Sequence, residues 1–385
     1  MKNKSINLQR RHFIQGTVAA YILMQTQPLH AFENLYEQNK IIWVFLRGAM
    51  DALHTVVPVG DPNLASLRKD LLDPIKHQLK PLSKDFALHP DLPFLHKLFT
   101  QKQMSPVLAV ASGYRERSHF DAQDQMESGL NQTNHDSGWL ARALQQVSGK
   151  GVAIARSVPI ALRGVSHSNE TWFPSIFPEA DTDLLERLQD LYSQDAPLST
   201  TLSAILEQKA NPAMQMQEKQ SAKFPYLAQR CGELLSNDNK LQCAMLEMGG
   251  WDTHNNQANR MSRQFKELDN GLQALKTALG KKWNNSLVIV STEFGRTVAL
   301  NGTKGTDHGT ASAMLFAGGA MSKFKSNLKG GKILGKWPGL QSNQLFEQRD
   351  LMPTSDVRTW LNKALQSHWG LSKAQLTKVF PDLDT

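Results

Sequence analysis

Cysteine is scarce in this 385-residue chain, which contains only Cys231 and Cys243. Two cysteines cannot build a disulfide framework or a cysteine-only zinc site, and no haem motif accompanies them. Cys231 lies in a helical pattern and Cys243 in a strand pattern, so we expect both in the core. These absences exclude a disulfide-stapled protein and argue against a redox-cofactor protein.

A strong excess of charge is also missing, as is a long hydrophobic run. The formal net charge is +8, but four basic residues and no acid fall within residues 1–31, and the remainder has 39 basic and 35 acidic residues. Because those basic residues are interspersed with acids, we expect no nucleic-acid partner. The apolar run at 18–24 is too short and too polar to span a membrane.

Residues 1–31 are predicted to be a twin-arginine export signal. Arg10 and Arg11 precede the apolar run, and a small residue, Ala31, stands at the predicted cleavage point. The alternative is an ordinary amphipathic first helix. Export by this route predicts a periplasmic or secreted protein that folds, often with its metal or cofactor bound, before it meets the twin-arginine translocase.

Strand and helix patterns alternate along much of residues 32–385. Apolar runs predict buried strands at 41–46, 107–111, 152–155, 241–248, 287–290 and 313–319. Helical spacing predicts helices at 118–129, 140–147, 261–279, 356–366 and 373–380. Such alternation predicts an α/β fold. Residues 166–239 lack strand signals and are predicted to form a helical insertion, and the basic segment 323–336 is predicted to form a β-hairpin.

Acids, histidines and arginines follow several of the predicted strands. Ligands in open α/β sheets bind outside the carboxyl ends of the strands. The residues concerned are Asp51, Arg117, Ser118, His119, Asp121, Asp252, His254, Glu293, Arg296, Asp307 and His308. Carboxylates and imidazoles are ligands that Zn²⁺, Mn²⁺ and similar ions accept. Their repetition at one edge of the sheet predicts a binuclear metal site that would hold the attacking and leaving oxygens of a phosphate or sulfate ester.

These residues also have structural explanations that the sequence leaves open. A carboxylate at a strand end, such as Asp51 or Glu293, is often only a helix cap, and Asp307-His308 is compatible with a simple turn. Ser118 suits either the N-cap of a helix that ends at Gly129 or a nucleophile at a helix N-terminus.

Five segments resemble an exported bacterial family, domain of unknown function 1501. They are LRGAMDALHTVVPVGDP (46–62), RSHFDAQDQMESG (117–129), GGWDTH (249–254), STEFGRT (291–297) and GTDHG (305–309). That family looks like a branch of the alkaline phosphatase and sulfatase superfamily. The resemblance implies a three-layer fold, in which a mostly parallel sheet has helices on both faces, with metal ligands at the strand ends.

The residue pattern and the resemblance together lead to a hypothesis for the roles of individual residues. One or two divalent ions, of Zn, Mn, Mg or Ca, would be held by Asp51, Asp121, Asp252, His254, Glu293, Asp307 and His308. Ser118 or a metal-bound water would attack the ester, and His119 would transfer protons. Arg117 or Arg296 would stabilise the developing negative charge. The chain departs from the superfamily pattern at Glu293-Phe294, where Asp-His is usual, and at His119, where Ser or Thr is usual.

Two functions therefore fit the sequence. The first is an exported metal-dependent hydrolase of phosphate or sulfate esters, acting on a small-molecule or polymer substrate. The second is a non-catalytic exported binding or assembly protein that keeps the fold and has lost the nucleophile, which the two departures favour.

Overall fold

The computed structural model describes residues 39–164, 169–174, 187–189, 191–192, 194–209, 223–325 and 328–383. The predicted signal at 1–31 lies outside the described residues, as does much of the predicted insertion. Among the helices that are described, none combines the length and the apolar character needed to cross a bilayer.

An eight-stranded sheet lies at the centre of the fold. In spatial order its strands are β11 (Ser355–Asp356), β5 (Met104–Ala111), β10 (Ser312–Ala317), β9 (Ser286–Thr292), β1 (Lys40–Leu46), β8 (Leu241–Met248), β6 (Lys150–Ile154) and β7 (Asn169–Thr171). Only β10 runs antiparallel to its neighbours among these strands, so the predicted mostly parallel sheet is confirmed. A small antiparallel sheet of β2 (Val56–Val57), β4 (Ala87–Leu88) and β3 (Lys80–Pro81) was not predicted.

Both faces of the central sheet are buried. In β1, Ile42 and Val44 pack into one hydrophobic core, whereas Ile41 and Trp43 pack into the other. Because successive side chains of a strand point to opposite faces, a strand between two cores is apolar throughout. Burial on both faces of the sheet therefore explains the continuous apolar run at 41–46. The predicted three-layer arrangement is confirmed.

Helices cover the sheet on both faces. The first core includes α3 (Pro93–Thr100), α7 (Phe224–Asn237) and α8 (Gln257–Leu279), and the second includes α5 (Trp139–Val147), α9 (Val357–Trp369) and α10 (Lys373–Val379). The other named helices are α1 (Ala52–Thr55), α2 (Leu64–Leu72), α4 (His119–Ser128) and α6 (Ala196–Lys209). In α8, Met261, Phe265, Leu268 and Leu272 recur at helical spacing and are buried, which explains why its pattern was readable.

Two connecting segments differ from the predictions. The range 166–239 is not free of strands, because Asn169–Thr171 forms the edge strand β7, which is too short to produce a periodic signal. The basic segment 323–336 forms no hairpin in the part that the structure describes. Its Leu334 instead exchanges backbone hydrogen bonds with β5, donating to Pro106 O and accepting from Leu108 N. Cys231 and Cys243 are buried and free, as predicted.

His54 in α1 makes stability depend on pH. It is buried against His89 and Phe265, and burial together with His89 lowers its pKa to about 3. As pH falls below about 6.5 the unfolded chain takes up this proton and the folded chain does not, so stability is lost on acidification. The loss from His54 reaches about 2 kcal/mol at pH 5 relative to pH 7.5.

We therefore expect His54→Leu to make the free energy of unfolding less dependent on pH by that amount, measured by urea denaturation at pH 7.5 and 5. His77→Leu, at an exposed position, is the control and should retain the wild-type pH dependence. An unaltered pH dependence in His54→Leu would contradict the assignment.

Candidate metal centre

Three histidines from distant parts of the sequence meet at one edge of the sheet. His119 begins α4 after β5, His254 follows β8, and His308 lies in the loop between β9 and β10. Because β5, β9 and β8 run in the same direction, their carboxyl ends share this edge. The antiparallel β10 starts at the same edge, which brings His308 to the other two.

The histidines and Asp252 form a compact group, the His–Asp cluster (His119, Asp252, His254 and His308). The Nε2 atom of His308 lies 3.0 Å from the Nε2 atoms of both His119 and His254. Asp252 Oδ1 lies 3.0 Å from His254 Nε2 and 3.3 Å from His308 Nε2, and its Oδ2 lies 3.6 Å from His119 Nε2. Ligand atoms around one zinc ion lie about 3.3 Å apart. The ligand atoms of His119, Asp252 and His308 all lie within 4.8 Å of one another and so fit a single ion, and His254 lies beside Asp252 and His308.

A hydrogen-bond acceptor lies behind each imidazole. The Nδ1 contacts are His119 to Glu293 Oε1 (2.7 Å), His254 to Asp307 Oδ1 (3.0 Å) and His308 to the Arg117 carbonyl (2.9 Å). Carboxylates and carbonyls only accept hydrogen bonds, so each imidazole donates through Nδ1–H. Each Nε2 then carries its lone pair toward the cluster, which is the arrangement of metal-binding histidines.

The converging Nε2 atoms cannot satisfy one another. When the imidazoles are neutral with Nδ1 protonated, their Nε2 lone pairs face each other across 3.0 Å and repel. Protonation of His308 is disfavoured as well, because burial and the neighbouring His119 and Arg296 lower its pKa. A cation between the nitrogens removes the repulsion, so these residues fit a divalent metal.

Arg296 supports Asp252 at the edge of the His–Asp cluster. Its guanidinium is buried and donates to Asp252 Oδ1 and to Thr306. Burial alone would raise the pKa of Asp252, but the hydrogen bond and charge of Arg296 lower it. These hydrogen bonds use the guanidinium donors of Arg296, so the role of Arg296 here is to orient the carboxylate of Asp252.

Asp51, predicted as a metal ligand, lies outside the cluster. Its Oδ1 caps α1 by accepting from the backbone N–H groups of Leu53 and His54, at 2.9 and 3.2 Å. Its Oδ2 accepts from Arg68 Nη1 at 2.6 Å and from Gln257 Nε2 at 2.5 Å. The capping explanation that the sequence left open therefore describes Asp51, and Arg68 neutralises its charge.

The other predicted site residues occupy four kinds of position. Glu293 and Asp307 lie behind histidines, as described above. Asp121 is exposed and accepts from the Tyr114 phenol at 3.2 Å. Ser118 occupies the N-cap of α4, but its hydroxyl caps none of the described backbone N–H groups there. The Arg117 guanidinium binds Glu347 and Asp350.

A glycine allows the strand ends to approach so closely. Gly48 has a φ of +115°, and a Cβ atom there would lie 2.6 Å from the backbone nitrogen of Asp252. Its own N–H donates to Glu293 Oε1 at 2.8 Å. This N–H and Gln123 hold the Glu293 carboxylate together with His119. Burial would raise the pKa of Glu293, but hydrogen bonds from His119, Gln123 and Thr292 lower it. Gly48, two residues after β1, thus positions two segments of the site.

The chain belongs to the family described as protein of unknown function (DUF1501), whose model matches residues 109–380. No curated protein sequence matches it significantly.

Several solved structures are similar to this chain in fold. Ps i-CgsB in complex with k-i-k-neocarrahexaose has 12% identity over 88% of this chain and 73% of that chain, with a TM-score of 0.41. The alkaline phosphatase of the Antarctic bacterium TAB5 has 13% identity over 90% and 99%, with a TM-score of 0.36. The phosphonate monoester hydrolase of Agrobacterium radiobacter has 11% identity over 72% and 67%, with a TM-score of 0.37.

Proposed function

We propose that this protein is an exported metal-dependent hydrolase of phosphate or sulfate esters, with one divalent ion held by the His–Asp cluster. One observation carries the metal site: the Nε2 atom of His308 lies 3.0 Å from the Nε2 atoms of both His119 and His254, while the Nδ1 atom of each histidine contacts an acceptor. Three imidazoles and one carboxylate favour Zn²⁺ over Mg²⁺ or Ca²⁺, which prefer oxygen ligands.

A single ion is proposed although the sequence predicted a binuclear site. The acids that would complete a second site are engaged elsewhere: Asp51 pairs with Arg68, and Glu293 binds His119. Both acids are also buried, at 1% exposure each. A second cation near Asp51 would have to displace the guanidinium of Arg68, which is itself only 2% exposed.

The proposed reaction assigns distinct tasks to the residues around the cluster. The residues of the cluster would hold a divalent ion, which, when bound, would supply Lewis-acid chemistry for activating water and an ester oxygen. The histidines remain neutral, with Glu293, Asp307 and the Arg117 carbonyl fixing their orientation. Both ring nitrogens of His119 are engaged, so we propose metal binding for it in place of proton transfer. Arg349, with a side chain 42% exposed, donates to the His308 carbonyl and adds positive charge that would attract an anionic ester.

The proposal is tested by assaying the zinc-loaded protein with an aryl phosphate and an aryl sulfate. Hydrolysis of either ester is expected, and it should disappear in His308→Ala but persist in His135→Ala, which alters an exposed histidine. Ser118→Ala identifies the nucleophile: attack by water predicts a rate within about tenfold of wild type, and attack by serine predicts a loss of several orders of magnitude. Protein that binds zinc but hydrolyses neither ester would contradict the enzymatic proposal.

A second candidate is the non-catalytic binding or assembly protein. It is favoured by the number of protein groups in the cluster, because four protein ligands are typical of closed, structural zinc sites. Asp252, moreover, is already held by Arg296. The same assay separates the candidates, since a structural zinc would support the fold without hydrolysis.

Export by the twin-arginine route remains part of the proposal, and it rests on residues 1–31 of the sequence. Fractionation of cells that express the wild type and Arg10→Lys/Arg11→Lys tests it. Equal amounts of both proteins outside the cytoplasm would contradict it.

A further inference from the structure

Asp350 is a buried carboxylate that lies behind the His–Asp cluster. Its side chain is 0% exposed. Its Oδ2 atom accepts from Arg117 Nε at 3.2 Å, from Arg117 Nη2 at 2.9 Å and from Thr310 Oγ1 at 2.9 Å. No sequence motif pointed to this residue, because it does not lie directly after one of the central strands.

The contacts of Asp350 join two segments that carry cluster histidines. Arg117 lies two residues before His119, and Thr310 lies two residues after His308. A single oxygen atom therefore fixes the start of α4 against the loop that leads into β10. The backbone of Asp350 adds to this, since its N–H and carbonyl pair with Phe346 and it forms a bridge with Thr297.

Arg117 adopts an unfavourable backbone conformation at this point. Its φ is +58°, in the left-handed region that residues other than glycine rarely occupy. In this conformation its carbonyl accepts the Nδ1 proton of His308 at 2.9 Å, while its guanidinium reaches Asp350. The ion pair with Asp350 thus holds the strained residue that orients His308.

Stability alone does not explain the carboxylate. Asp350 Oδ1 is buried and makes no hydrogen bond to any residue that the structure describes, and its ion-pair contact with Arg349 Nε is long, at 3.6 Å. A buried carboxylate oxygen that accepts no hydrogen bond costs free energy. A residue that carries this cost therefore calls for an explanation other than stability, and its contacts with the two histidine-bearing segments supply one.

We propose that Asp350 is a positioning residue for the metal centre, which acts through Arg117 to hold His308 with Nδ1 protonated and Nε2 directed at the ion. This inference rests on the proposed metal site. Asp350 itself does not touch the ion. It sets the separation of His119 and His308 and the tautomer of His308.

The test compares wild type, Asp350→Asn and a control, using the full-length protein loaded with Co²⁺ or Zn²⁺. Asp350→Asn preserves the shape and one acceptor oxygen but removes the buried one of the two negative charges that bind Arg117, leaving the exposed Glu347. We expect zinc affinity to fall about tenfold, in the range seen when groups behind metal ligands are altered, and the Co²⁺ absorption bands to shift. Asp269→Asn is the control, since Asp269 is buried and accepts from the backbone N–H groups of Phe94 and Leu95 in α3.

The control should lose stability without altering either metal readout. Thr310→Val, which removes only the hydroxyl bond to Oδ2, should shift the Co²⁺ bands in the same direction and provides a milder variant should Asp350→Asn fail to fold. Wild-type affinity and spectrum in the folded Asp350 variant, or equal changes in Asp269→Asn, would overturn this inference and leave the metal site standing. Failure of the wild type to bind either ion would overturn the metal site and this inference together.

Discussion

His308→Ala is expected to lower the zinc affinity of the protein by more than about 100-fold, because altering groups behind metal ligands already costs about 10- to 100-fold. His308 is the central member of the cluster, since its Nε2 lies 3.0 Å from the Nε2 atoms of both His119 and His254. Its removal leaves those two nitrogens without the ligand between them. Competition with a chromophoric chelator measures the affinity.

Two further variants serve as comparisons for the loss of zinc affinity in His308→Ala. Asp307→Asn should cost about 10- to 100-fold, because Asp307 orients His254 and is placed behind it, not at the ion. His135→Ala, at an exposed histidine, should bind zinc as the wild type does. An Asp307 variant that is affected as strongly as His308→Ala would instead make Asp307 a ligand, as the sequence predicted.

Arg68→Met is expected to destabilise the fold by about 3–5 kcal/mol, which is the usual cost of removing one partner from a buried ion pair. Arg68 and Asp51 are 2% and 1% exposed, and Nη1 lies 2.6 Å from Oδ2. Arg68 also donates to the carbonyls of Thr297 and Val298, both at 2.7 Å. Methionine fills part of the space but leaves the carboxylate of Asp51 without its cation. Urea denaturation at pH 7.5 measures the change.

Asp51 provides the matched control for that experiment. Asp51→Asn keeps an oxygen to cap α1 and removes the charge, so the double variant Arg68→Met/Asp51→Asn should recover part of the stability lost in Arg68→Met. Zinc binding should persist in Asp51→Asn with the wild-type stoichiometry. Loss of the ion from folded Asp51→Asn would contradict the structural role and restore Asp51 as a ligand.

The strands of the central sheet could be predicted because burial on both faces leaves a continuous apolar run. Thus 41–46, 241–248 and 287–290 were found with nearly correct bounds. Direction is not encoded in such a run, so the antiparallel pairing of β10 could not be predicted. β7, with three residues, is too short to give a pattern at all.

The sequence was less informative about which polar residues meet. It pointed to the strand ends, and His254, His308 and Asp252 do come together there. The sequence could not distinguish Asp51 from these three residues, because the ion-pair partner of Asp51 is Arg68 in α2, which belongs to no recognisable motif. A residue that orients a ligand, such as Glu293, cannot be distinguished from a ligand by sequence. Only its contact with the Nδ1 atom of a histidine in the structure shows the difference. Asp350 acts through Arg117 and therefore gave no signal.

Anomalous diffraction at the zinc edge from crystals of the zinc-loaded, full-length protein tests the metal site most directly. We predict one peak per chain, about 2.0–2.2 Å from the Nε2 atoms of His119, His254 and His308 and from a carboxylate oxygen of Asp252. No peak within this group of side chains, or a peak at Asp51 with Arg68 displaced, would contradict it.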